Sequence, residues 1–160
     1  MRLSTLLPVF LSSLSLATSS SEPPADYHVT KYSHNCDHGG CAWSFDVKAD
    51  ETSNAPAFSA TCRGNSDDPS PCKYKDGKTE YTGKDGTKYQ FEAINATVTE
   101  LDHPWWKVEV LRKFSSPAQG DMPLDRFDQQ IATGNVTNDG GDFILKVGPG
   151  DATGVAKRML

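Results

Sequence analysis

Along residues 42–49, AWSFDVKA, apolar and polar side chains alternate one for one. Trp43, Phe45, Val47 and Ala49 fall on one side, Ser44, Asp46 and Lys48 on the other. Successive side chains of a strand point to opposite faces, so this is the pattern of a strand with one face in a core. AFSATC repeats it with Phe58, Ala60 and Cys62, and TKYQFEA with Tyr89, Phe91 and Ala93. WWKVEVLRKF sets Trp106, Val108 and Val110 inside with Lys107 and Glu109 outside, and DFILKV offers Phe143, Leu145 and Val147. The turn signals KDGK, KDGT, LDHP and TNDGG lie between such runs, and the Asn, Asp and Gly of TNDGG suit the positive-φ positions of a tight hairpin. No ten-residue stretch carries an apolar stripe of helical period; the best fragment, MPLDRFDQQIA, predicts one helical turn through Leu124, Phe127 and Ile131. The expectation is an all-β fold, a single antiparallel β-barrel or sandwich, because meanders close up to remove exposed edges. Two segments, 63–72 and 115–128, read as irregular.

The amino terminus follows a different pattern. MRLSTLLPVFLSSLSLATSSS has one early positive charge at Arg2, a short apolar run and then small residues, as a secretory leader does. Ser15 and Ala17 place the cut after Ala17, whereas Pro8 and the serines make the run too short and too broken for a span of about 20 residues. The expected organisation is a signal peptide at 1–17, a flexible lead-in at 18–26, one β domain at 27–148 and a loose tail at 149–160. Loss of Arg2 with the leader takes the formal net charge from −5 to −6. The basic residues are scattered, with Arg112-Lys113 and Lys157-Arg158 the only adjacent pairs, so neither nucleic acid nor an anionic membrane is an expected partner.

All four cysteines, Cys36, Cys41, Cys62 and Cys72, lie in the first half of the processed chain. An even count behind a leader points to disulfides in an oxidising, extracellular setting. The stretch HNCDHGGCAW offers a competing chemistry, since His34, Cys36, His38 and Cys41 are the ligand types of a closed zinc site. Their one-residue spacings would wrap the backbone tightly round an ion, and oxidation competes with metal for the thiolates. Cys36 and Cys41 instead flank DHGG, a turn that sets them opposite one another across a hairpin. His34 and His38 then become exposed turn residues. The second bridge would be Cys62 to Cys72 round RGNSDDPSP, with the crossed pairings still open. Loop entropy assigns the two short bridges about 2 and about 3 kcal/mol. No metal or cofactor is expected. Two sequons, at Asn95 and Asn135, are candidate glycosylation sites.

The order YHVTKYS, C, CAWSFDVKA, FSATCRG, PCKY resembles the Alternaria major-allergen-like family of small secreted fungal proteins, over residues 27 to about 147 and most strongly from Cys36 to Cys72. The resemblance implies a compact secreted β-barrel without a known catalytic apparatus. It also implies a role as an allergen, or as an elicitor or effector engaging plant defence proteins of the thaumatin-like class. In that family the segment Cys62 to Cys72 looks like a disulfide across neighbouring strands. This chain departs from the type allergen in having no cysteine after Cys72. That allergen's dimerising cysteine is therefore missing, and a monomer is expected.

Candidate chemistry narrows the choice further. No GxSxG elbow and no phosphate-cradling glycine loop occurs. The best acid/base set is Glu100, Asp102 and His103 in TELDHPWW, with Arg112 one strand pairing away, a set that a small ribonuclease could use. LDHP is equally a good hairpin turn. In PWW, alternation that buries Trp106 turns Trp105 outward. There its indole either lies over a neighbouring strand or under the 115–128 segment, or anchors a protein or sugar. The reading is a secreted, disulfide-stapled binding protein without catalytic residues, of fungal effector or allergen type, meeting a host extracellular protein, with Trp105 the candidate partner-binding residue. A glycan-binding module and a small hydrolase are the alternatives.

Overall fold

In the structure, a computed structural model, ten strands form a nearly closed antiparallel barrel. It describes residues 24–38, 40–53, 55–115, 127–137 and 140–148. The expected leader, most of the lead-in, the expected tail and Leu124 lie outside the described residues. The strands are β1 (Tyr27–Asp37), β2 (Gly40–Ala49), β3 (Phe58–Asn65), β4 (Ser70–Pro71), β5 (Lys73–Tyr74), β6 (Glu80–Thr82), β7 (Lys88–Glu100), β8 (Trp105–Ser115), β9 (Phe127–Thr137) and β10 (Gly141–Val147). Their order is β4-β7-β8-β9-β10-β1-β2-β3-β5, with β6 beside β7.

The first and last strands of that order are neighbours in the chain, separated only by Cys72. β4 pairs with β7 through Ser70 opposite Ala96 and Pro71 opposite Asn95. β5 pairs with β3 through Tyr74 opposite Ala60 and Lys73 opposite Thr61. Between them the Cys72 N–H donates to the Ile94 carbonyl at 2.8 Å, and its sulfur is bonded to Cys62 of β3. Asp67, in the left-handed region at φ 71°, donates its N–H to the Val98 carbonyl, and Ser66 donates to the Cys41 carbonyl. Gly64 lets this turn approach β3, because a Cβ there would sit 2.1 Å from Ser70 Oγ and 2.6 Å from the Trp43 ring. The stretch 63–72, expected to be irregular, is therefore the seam of the barrel. The crossed disulfide pairings are excluded: Cys36 bonds Cys41 and Cys62 bonds Cys72.

Trp43, Phe45, Val47, Ala49, Phe58, Ala60, Cys62, Trp106, Val108 and Val110 are all buried, as their alternation requires. The alternation of β7 breaks at a register shift between Phe91 and Ala93, after which Ile94, Ala96 and Val98 take the inner face and Ala93 is only half-buried. A second shift in β1, where Lys31 has φ 55°, puts Tyr27, Val29 and Tyr32 inside. Phe127–Ala132 is not a helical turn but part of β9, which pairs with β8 from Phe127 opposite Ser115 to Thr137 opposite Trp105. Ile131 faces out while Ala132 and Val136 face in. Pairing along its whole length with β8 satisfies the β9 backbone groups on that edge, an advantage that outweighs a weak helical period.

The inner face of β8 continues past Val110 to Arg112, which is 1% exposed and the one buried charged residue among the described residues. Its guanidinium carbon lies 4.3 Å from the Phe58 ring centre, 4.8 Å from Phe114 and 5.1 Å from Phe91. Nη1 donates to the Pro56 carbonyl at 2.9 Å. The Tyr27 and Tyr74 hydroxyls are near enough to interact electrostatically, yet among the described residues Nε and Nη2 make no hydrogen bond of ordinary geometry. Burial lowers the Arg112 pKa, and burial likewise pushes the Tyr27 phenol up to about 12 although Arg112 acts against it. Ring quadrupoles and one carbonyl thus hold a cation that has left water. Arg112→Met, which keeps most of the volume, should change the unfolding free energy by less than about 1.5 kcal/mol. Arg112→Ala should cost about 3–5 kcal/mol, as large core truncations do. Denaturant midpoints decide, and equal losses would show that charge rather than volume is required.

Outside the barrel, Asp46 ties three elements together. Its carboxylate contacts Lys75 Nζ at 2.8 Å and Lys31 Nζ at 3.4 Å, and accepts from Thr61 Oγ1 at 2.7 Å. The hydrogen bonds from Lys75 and Thr61 hold its pKa down at about 2, against an ordinary 3.8. A depressed carboxylate contributes stability above its unfolded pKa and loses it as the pH falls through the folded one. Both ammonium groups are well exposed, so screening reduces the contribution to about 1 kcal/mol or less. Asp46→Asn should show that deficit at pH 7, and the deficit should shrink between pH 3.8 and about 2. A deficit unchanged at pH 2 would exclude the charge as its source.

Candidate functional site

The β7–β8 connection, Leu101 to Pro104, closes one end of the barrel. The Leu101 N–H donates to the Trp105 carbonyl and the Trp105 N–H to the Asp102 carbonyl, both at 3.0 Å. These bonds fix where β8 begins and which way its first side chains point. Trp106 faces inward at 4% exposure and Trp105 outward at 48%. Trp105 is thus exposed, as the outward parity of its strand position requires. With Leu101, which is 41% exposed, it lines an open groove of about 690 Å³ together with Glu100, Asp102 and Asn135. An apolar plate beside two carboxylic acids and an amide can stack on a flat or cationic group while accepting hydrogen bonds from it.

Behind this groove, the His34 ring lies over Trp106 with centres 3.9 Å apart. His34, expected as an exposed turn residue, is half-buried. Strand register explains it: His34 pairs with Trp43 across β1 and β2 and projects, like Cys36, toward the end of the core. Burial lowers its pKa, and the Glu100 charge pulls it partly back. His38 is exposed in the hairpin turn. Of the four residues of the zinc-like pattern, three come together: His34, Cys36 and Cys41, with ligand atoms all within 4.8 Å of one another. Both sulfurs are engaged in the disulfide.

Arg112 does not join the acid/base set. Glu100 is opposite Trp106, whereas Arg112 is opposite Ile94, six residues further along β8 or about 20 Å away. Arg112 is sealed in the aromatic interior and His103 is exposed on the turn beside a cis His103–Pro104 bond. The sequons differ in setting: Asn135 is exposed on the groove rim, while Asn95 is half-buried in β7 between its partners Leu111 and Pro71. Leu101 and Asn135 are groove residues that the sequence reading had not assigned there. Leu101 sits in the turn, and only the pairing of β8 with β9 carries Asn135 to the Trp105 end. A second shallow groove of about 490 Å³ is lined by Ser33, Asn35, Ser44, Arg63 and Asn65 among others, and collects no acid/base pair. Comparison with protein-family models, curated proteins and solved structures returned no match for the chain.

The neighbouring tryptophans should behave differently. Trp106→Ala is expected to cost about 3–5 kcal/mol, and Trp105→Ala nearer 1 kcal/mol, typical of substitution outside a core. Chemical denaturation of both variants measures this. Equal, large losses would mean that Trp105 is held by the fold.

Proposed function

We propose that the chain is a secreted binding protein of the fungal effector, elicitor or allergen-like kind, acting outside the cell on a host extracellular protein of the thaumatin-like class. The observation that carries the reading is the Trp105 groove. A large indole held outward by backbone hydrogen bonds has the character of a binding hot spot, since it offers contact area with little entropy to lose. The two disulfides suit an oxidising compartment. The burial of Arg112 far from Glu100 and His103 supports binding over hydrolysis. A second reading has a specific basis too: Glu100, Asp102 and Asn135 around an exposed indole could equally accept hydrogen bonds from sugar hydroxyls stacked on Trp105.

Titration against a purified thaumatin-like protein tests the first reading. The wild-type chain should bind, Trp105→Ala should weaken binding at least about ten-fold, near 1.4 kcal/mol, and the exposed control Ile144→Ala should bind as wild type. Equal binding by all three would remove the groove from the interaction. Saturable oligosaccharide quenching of Trp105 fluorescence, without protein binding, would favour the glycan module.

A further inference from the structure

The His34, Cys36 and Cys41 cluster has a use that neither the core nor the groove accounts for. On the β1–β2 hairpin Cys36 and Cys41 are directly opposed, and His34, two residues before Cys36, lies on the same face. His34 Nε2 is 3.6 Å and Nδ1 3.9 Å from Cys36 Sγ. Cys36 is exposed, in contrast with Cys62 of the other bridge, which is fully buried at the seam. The Cys36–Cys41 bridge closes a sequence separation of only 5, and the hairpin backbone is paired from Ser33 opposite Ser44 to Asp37 opposite Gly40 independently of it. Opening this disulfide would leave two thiols held face to face by the strands.

The geometry points to a redox-gated site for a soft d10 cation, Cu(I), made by His34 and the reduced Cys36 and Cys41. The gate is thiol–disulfide exchange: two molecules of a low-molecular-weight thiol are oxidised to their disulfide while the Cys36–Cys41 bond is reduced to two thiols. Binding of Cu(I) then displaces the two thiol protons and leaves two thiolates and one imidazole nitrogen around the ion. The His34 ring nitrogens lie 3.6 and 3.9 Å from Cys36 Sγ, and the two sulfurs, 2.09 Å apart in the disulfide, need only separate to about 4 Å once reduced for bonds of about 2.0–2.3 Å to radiate from one centre. Thiolate sulfur selects soft ions, and three donors suit trigonal Cu(I). Contact with the Trp106 ring, 3.9 Å away between centres and tilted against it, orients the imidazole. In the oxidised state the same sulfurs are bonded to each other and the site is shut.

The test uses the folded processed chain, treated with a phosphine reductant that is removed under nitrogen, and titrated with the coloured bicinchoninate complex of Cu(I). Peptide mapping should find Cys36 and Cys41 free with Cys62–Cys72 intact, and the chain should withdraw one equivalent of copper. Oxidised chain and Cys36→Ala/Cys41→Ala carried through the same treatment should withdraw none. His34→Ala should bind at least ten-fold more weakly while its circular dichroism matches wild type. The proposal is overturned if Cys62–Cys72 opens first, if the reduced chain leaves copper with the probe, if the double variant takes it up, or if His34→Ala binds as tightly as wild type.

Discussion

Everything in this fold depends on one short segment meeting two strand edges at once. Without β4 and β5, the seven-strand path from β7 to β3 would leave ladder groups on the outer edges of β3 and β7 unpaired, a cost in buried polar groups and an invitation to edge pairing. Ser70 to Tyr74 covers both edges with two residues each, and Cys72 at its centre is bonded to β3 through sulfur and to β7 through its N–H. So short a pairing could not hold by itself. The disulfide removes about 3 kcal/mol of loop entropy from the unfolded chain, and the seam is where that restraint is applied.

Closure in turn creates an interior that excludes water, which is why an arginine there must find other company. Arg112 is surrounded by Phe58, Phe91 and Phe114 and anchored on Pro56. The same strand therefore serves opposite ends of the molecule differently. Near Ser115 its inner face holds a caged cation; near its start, Trp106 closes the core and supports His34, while Trp105 turns into the groove. The groove's placement follows from strand parity, and its chemistry from the turn that precedes it.

How much of this the sequence disclosed depended on how long alternation ran without interruption. β2, β3 and the first half of β8 alternate cleanly, and their inner residues and the exposed Trp105 were legible. β1 and β7 contain register shifts at Lys31–Tyr32 and Glu92, and a single inserted residue reverses the parity of everything after it. β9 was hidden for another reason: its inner positions include Ala132 and Gly134, where a Cβ would come within 2.9 Å of Leu145, so its apolar signal is weak. Arg112 violated the rule that charge faces out. The Cys36–Cys41 hairpin was readable because its turn is local, but the approach of His34 to Cys36, and of Asn135 to Trp105, is set by packing and pairing beyond the reach of a local pattern.

Native-state hydrogen exchange, residue by residue, tests the closure of the barrel through Cys72 most directly. In the wild-type chain the amides of Asp67, Cys72 and Lys75, which bond to Val98, Ile94 and Ser59, should exchange only through large-scale opening. In Cys62→Ala/Cys72→Ala these three, with the facing edges of β3 and β7, should lose protection by local opening while the long β8–β9 ladder keeps most of its own. Seam amides that remain as protected as that ladder in the variant, or a loss spread evenly over all strands, would contradict a barrel closed by this bridge.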